Sequence, residues 1–163
     1  MKHCLIGLLA LFSAPLLAQQ PIPFDGNINF LKMPKDLHFG EVTGVAVNSK
    51  GHVFVLSRGN TTGPAYAAAA AQLLEFDAKG KYVREIGKHL YAWSFGHMVR
   101  VDKDDNIWIT DKGSDMVVKF SPKGQVLMVF GRKQEASDRE TAPLERHNPP
   151  LAHEDGRFRQ VTD

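Results

Sequence analysis

The sequence predicts an all-β fold, a β-propeller of four-stranded antiparallel blades that is incomplete, with about two blades and the start of a third. Three observations predict it. Residues 45 to 59, VAVNSKGHVFVLSRG, align without a gap on residues 99 to 113, VRVDKDDNIWITDKG, at an offset of 54. Residues 73 to 87, LLEFDAKGKYVREIG, align on 117 to 131, VVKFSPKGQVLMVFG, at an offset of 44. Each stretch alternates apolar and polar residues on both sides of a short polar turn, the pattern of a hairpin. Two hairpins make one four-stranded unit, and such a unit repeated every roughly 40 to 55 residues, without a long amphipathic helix, indicates propeller blades. A plain β-sandwich also spaces short strands regularly but gives no reason for self-similarity residue by residue.

Taken from the N-terminus, residues 1–18 read as an export signal: Lys2 is the charged start, the apolar run from Leu5 to Leu17 is too short to span a bilayer, and small residues lead to Ala18. Cleavage there leaves 145 residues and removes Cys4, the sole cysteine, so the mature chain forms no disulfide. The product is expected to be secreted or periplasmic, with no membrane attachment after cleavage. Its formal charge falls from +2 to +1 with the loss of Lys2, and basic and acidic residues alternate, so nucleic acid is not an expected partner.

A lead-in, 19–39, precedes blade 1, about 40–94, and blade 2, about 95–131. A long connection, 132–157, leads to the start of blade 3 at 158–163. The difference of 10 between the two offsets places an insertion in the first copy, around Asn60 to Gln72, where an alanine run is compatible with a short helix. The four hairpin turns are Asn48–Gly51, Asp77–Gly80, Asp102–Asp105 and Ser121–Gly124. Three close on Gly and the fourth on Asp105, residues that accept positive φ more readily than others. The acidic run Asp102, Asp104, Asp105 therefore reads as a turn, not as a calcium loop. A propeller needs at least about four blades to close, and a mature chain of 145 residues holds at most about three at the usual blade length. The chain is thus expected to be an N-terminal fragment.

His97 breaks the repeat. The equivalent positions hold Thr43 and Thr162, so blade packing alone does not call for an imidazole at the start of this innermost strand. A metal ligand beside the central tunnel is one reading, and a hydrogen-bonded core or tunnel histidine is the other. One histidine is not a site, because zinc takes three or four protein ligands. Arg58, opposite Lys112 in the repeat, offers a fork of donors for a carboxylate, or is a solvated strand-end cation. Phe54 and Trp108 read as packing between blades. His38, His52 and His89 sit beside turns and read as surface residues, and His147 and His153 as loop residues.

The repeats resemble the NHL type. More specifically, GEVTGVAVNSKGHVFVLSRGN (40–60), LLEFDAKGKYVREIGKHLY (73–91) and GHMVRVDKDDNIWITDKGSDMVVKFSPKG (96–124) look like the first blades of the peptidyl-α-hydroxyglycine α-amidating lyase family. FGRKQEASDRE (130–140) and RFRQVTD (157–163) resemble that family's passage into its next blade. The resemblance implies a six-bladed parent with a catalytic zinc on three histidines from different blades and a structural calcium on the same axis. Its substrate would be a peptide with a C-terminal α-hydroxyglycine, split into a peptide amide and glyoxylate. By the same resemblance His97 is one zinc ligand, Val45 and Val99 give backbone carbonyls to the calcium, and Arg58 holds the substrate carboxylate. The tyrosine base, two further histidines and a second arginine would lie in later blades, so this chain alone is expected to be inactive.

Two departures put the rim of the site and its substrate preference in doubt. Gly96-His97-Met98-Val99 stands where the animal lyases have Pro-His-Gly-Leu, and the approach from Gly87 is about two residues longer. The competing expectation is a non-catalytic NHL-repeat propeller that binds a protein, peptide or glycan, and another is a tunnel-metal hydrolase or lactonase, since one fold hosts many functions.

Overall fold

The computed structural model describes residues 22–59, 71–133, 158 and 161–163. The expected signal segment, most of the insertion, and most of the connection, with His147 and His153, lie outside them. The described residues form two four-stranded antiparallel sheets and no helix. The first runs β1 (Val42–Val47), β2 (Val53–Ser57), β3 (Gln72–Phe76), β4 (Tyr82–Ile86). The second runs β5 (Gly96–Val101), β6 (Ile107–Asp111), β7 (Met116–Phe120), β8 (Val126–Gly131). In both, sequence order is spatial order, so each sheet is a meander with β1 or β5 innermost.

The turns take the expected chemistry. Gly51, Gly80 and Gly124 have φ of 77°, 77° and 84°, and Asp105 has φ of 60°. The first residue of three of these turns, Asn48, Asp77 or Asp102, turns its side-chain oxygen back onto backbone N–H groups two and four residues ahead. That local bond pattern fixes the hairpin register without help from the rest of the chain.

The sheets stack face to face. Phe54, Leu56 and Leu73 on one face of the first sheet meet Val99, Ile107, Ile109, Val118 and Phe120 of the second, with Trp93 from the connection between them. Trp93 stacks on Phe120 with ring centroids 6.2 Å apart, and its Nε1 donates to the Gly87 carbonyl. Alternation along each strand makes this possible, because one set of residues points to each face. Every fully buried Leu, Val or Phe contributes about 1.5–3 kcal/mol relative to exposure. The innermost strands approach closely: a Cβ on Gly44 of β1 would lie 2.9 Å from the Val99 backbone nitrogen in β5. Only glycine fits there.

The opposite face of the first sheet, with Val55, Leu74 and Phe76, is covered by Leu31, Met33, Leu37 and Phe39 of the lead-in. Their repeat counterparts in the second sheet, Ile109, Val118 and Phe120, are covered by the first sheet itself. The lead-in therefore occupies part of the place that a preceding blade takes elsewhere.

Phe54 packs between the two sheets as expected, but Trp108 does not. Its ring lies on the far face of the second sheet, stacked on Phe130 at 6.5 Å and 9°, with Lys119 over it and Nε1 donating to Asp102. The reason is rotational: equivalent residues face the next blade along, and for the second sheet that direction leads away from the first. His52 is likewise not a free surface residue, because its Nδ1 lies 2.7 Å from the buried Glu75 carboxylate, which also takes Arg84 Nε at 2.6 Å.

Candidate functional site

The feature that singles out His97 is the backbone under it. In β5, Gly96 pairs with Asp111 and Met98 with Thr110, which leaves His97 as the extra residue of a β-bulge. The first sheet repeats the irregularity at the same offset: Val42 pairs with Ser57, Gly44 with Leu56, and Thr43 is the extra residue. A bulge leaves one residue out of the ladder and re-aims its side chain. Thr43 and His97 are thus equivalent in structure as well as in sequence.

Their side chains do equivalent things. Thr43 Oγ1 donates to the Gly96 carbonyl at 3.1 Å, a reach from the first sheet to the second. His97 Nδ1 lies 3.1 Å from the Thr162 carbonyl, which Thr110 Oγ1 also reaches at 3.2 Å. A carbonyl only accepts, so Nδ1 carries a proton, and in the neutral ring Nε2 is then the nitrogen with the lone pair. By these contacts Thr162 stands where Gly96 stands, one residue from the register in which the repeat pairs it with His97. Beyond it, Arg100 holds the Asp163 carboxylate with two bonds of 2.7 Å.

The segment that delivers His97 is pinned from its own sheet by Asp111, which is fully buried. Its two oxygens accept from the N–H groups of Ser94, Phe95 and Ser114 at 2.9–3.0 Å. The counterpart in the first sheet is Ser57, whose Oγ accepts from Gly40 at 3.1 Å and Gly59 at 3.3 Å.

Arg58 lies one residue past β2, as expected, and its side chain is 12% exposed. Its Nε donates to the Gly96 carbonyl at 2.8 Å, its guanidinium stacks 3.8 Å from the Phe95 ring centroid, and one terminal nitrogen is 3.4 Å from Glu41. The residue is built into the junction of the two sheets, and His97 is the next residue after the carbonyl it holds. Val45 and Val99 take equivalent positions on β1 and β5, pairing with Val55 and Ile109. The Val99 side chain is buried and that of Val45 is exposed.

Sequence reasoning missed Asp111, Thr43 and Phe95 as parts of this arrangement. Thr43 and Asp111 carried a signal, since the repeat alignment sets one against His97 and the other against Ser57. Phe95 carried none. Among the described residues no three His, Cys, Asp or Glu side chains converge on one point. His97 itself has the features of a metal-binding imidazole: it is half-buried, with Nδ1 held by a carbonyl and Nε2 left as the donor atom.

The far face of the second sheet carries a depression of about 360 Å³ lined by Met98, Arg100, Trp108, Thr110, Val117 and Asp163, among others. On its rim, Asp102 has its carboxyl pKa lowered. Burial opposes this, but bonds from Trp108 Nε1, the Asn106 side chain and the N–H groups of Asn106 and Asp104 together outweigh it.

No family model and no curated protein matches the chain. Among solved structures, a streptogramin B lyase is similar over 63% of this chain and 30% of its own length, at 18% identity and a TM-score of 0.45. A protein of unknown function from Bacteroides caccae is similar over 56% of this chain and 47% of its own, at 16% identity and a TM-score of 0.29. The chain therefore spans less than half the length of either. At such values the architecture rests on the chain's own two sheets, their shared strand order and their shared bulge, and these are successive blades of an incomplete β-propeller.

Proposed function

We propose that this chain is the N-terminal part of a secreted or periplasmic zinc-dependent lyase that cleaves the C–N bond of a C-terminal peptidyl-α-hydroxyglycine. The observation that carries the reading is His97: the one imidazole in the bulge position, with Nε2 available, where the preceding blade has threonine. The family-like motifs around it supply the reaction class.

In this reading His97 is one of three histidines that hold the zinc, and the other two come from blades outside the described residues. When bound, zinc supplies a Lewis acid next to the substrate hydroxyl. The terminal nitrogens of Arg58 would bind the substrate carboxylate, in competition with Glu41. The carbonyls of Val45 and Val99, at equivalent positions of neighbouring inner strands, would hold a structural calcium, which favours oxygen donors. In the reaction the hydroxyl loses its proton, the carbinol carbon becomes the aldehyde of glyoxylate, and the C–N electron pair leaves with the amide nitrogen, which is protonated.

The direct test is glyoxylate release from a hydroxyglycine-ended peptide by the intact protein that contains this chain. Activity is expected, with loss on chelation and on His97→Ala. A metal-replete intact protein that releases no glyoxylate overturns the lyase reading in favour of a binding scaffold for a protein, peptide or glycan. Turnover by the 163-residue chain alone overturns the assignment of a partial site.

A further inference from the structure

We infer that Arg58 is a positioning residue for His97, acting through the carbonyl of Gly96. His97 lies outside the ladder, so β-pairing does not fix where its ring points. Two things fix it: the Thr162 carbonyl that its Nδ1 meets, and the peptide unit between Gly96 and His97, a rigid plane whose rotation is set by the direction of the Gly96 carbonyl. That carbonyl accepts Arg58 Nε at 2.8 Å and Thr43 Oγ1 at 3.1 Å, both from the other sheet, which uses both of its lone pairs.

Arg58 is itself held on three sides. Its stem leaves the end of β2, its plane lies on the Phe95 ring, and Glu41 faces one terminal nitrogen. Phe95 is fixed in turn, because its N–H goes to Asp111 and its carbonyl accepts from Lys112 N at 3.0 Å. The peptide that carries His97 is therefore clamped between Asp111 of its own sheet and Arg58 of its neighbour. In the repeat Lys112 replaces Arg58, and an ammonium has no donor at the Nε position and no plane to stack.

The importance of this device to catalysis rests on the lyase reading, but its geometry does not. The test accordingly uses neither metal nor peptide. In the ¹⁵N-labelled full chain, the His97 ring is expected as a single tautomer with the proton on Nδ1. Arg58→Lys keeps the charge and puts a carbon where Nε was. It should shift the Gly96 and His97 amide signals and convert the ring to a tautomer mixture, as Arg58→Ala should. The amides of Val55, Leu74 and Val118 report whether the two sheets stay folded. Thr43→Val removes the second donor to the same carbonyl and should act in the same direction more weakly. It decides the matter alone if both Arg58 variants disturb the three reporters. Unchanged His97 ring signals with unchanged reporters overturn the inference. That result leaves the lyase reading standing, just as failure of the glyoxylate assay leaves this inference standing.

Discussion

Replacing Asp111 by Asn separates the two ways in which the segment before His97 could be held. Asp111 is fully buried and its two oxygens serve three backbone N–H groups. Asparagine keeps the shape but has one oxygen and one NH₂. With the oxygen at the Oδ1 place, the Ser94 N–H faces the NH₂, and with the oxygen at Oδ2, the Ser114 N–H does. Either way a buried backbone donor loses its acceptor, at about 1–3 kcal/mol, and the bonds that remain are no longer charge-assisted. The expected destabilisation is about 2–4 kcal/mol. Ser57→Ala, at the equivalent place in the first sheet, removes only a neutral acceptor of two longer bonds and should cost about 1 kcal/mol. Urea unfolding followed by tryptophan fluorescence measures both, because Trp93 is buried one residue before Ser94. If Asp111→Asn falls within about 0.5 kcal/mol of the wild type, or costs less than Ser57→Ala, the carboxylate is not the anchor.

Gly44→Ala places a Cβ 2.9 Å from the Val99 nitrogen and 3.0 Å from its Cγ1. The inner strands must part, so a loss of about 1–3 kcal/mol is expected, read as a lower urea midpoint with an unchanged slope. Asp102 has a folded-state pKa below the unfolded value of about 3.9. Its contribution is therefore present above that value and is lost as pH falls through the folded one. Unfolding midpoints measured from pH 6 down to pH 2 should fall more gently for Asp102→Ala than for the wild type, and parallel curves refute the linkage.

The hairpins were legible in the sequence because each is decided locally. Asn48, Asp77 and Asp102 bond to their own turns, and the residues that need positive φ are Gly or Asp. The repeat offset of 54 also held a structural fact, since the bulges at Thr43 and His97 share it. What stayed hidden depends on contacts between distant segments. Trp108 and Phe54 are the same residue of the repeat, yet one is stacked in the core and the other lies on an open face, because only one of them has a following sheet against it. Nothing periodic in residues 22–39 announces that they cover Val55, Leu74 and Phe76. The engagement of Arg58 with Gly96 joins positions 38 residues apart and belongs to the junction, not to either repeat.

That junction links stability to the candidate site. Val45 and Val99 are one position of the repeat, and the first is 57% exposed while the second is 2% exposed. The difference is the sheet packed in front of Val99, and burying such a side chain contributes about 1.5–3 kcal/mol. Docking on a neighbour thus adds to the stability of each blade, as in other architectures assembled from repeats. The bulge obeys the same rule. Thr43 and Arg58 reach the Gly96 carbonyl only when the first sheet is docked on the second, so the docking that buries Val99 also sets the peptide from which His97 projects. A substitution that loosens the stacking, such as Gly44→Ala, should therefore disturb His97 as well as the unfolding midpoint, although Gly44 does not touch the imidazole. A ligand held by histidines from several blades would work in the opposite sense. It would tie together sheets that otherwise share apolar faces and a few hydrogen bonds, and the rigidity of each bulge would decide how much of that binding energy is available to stabilise the ring.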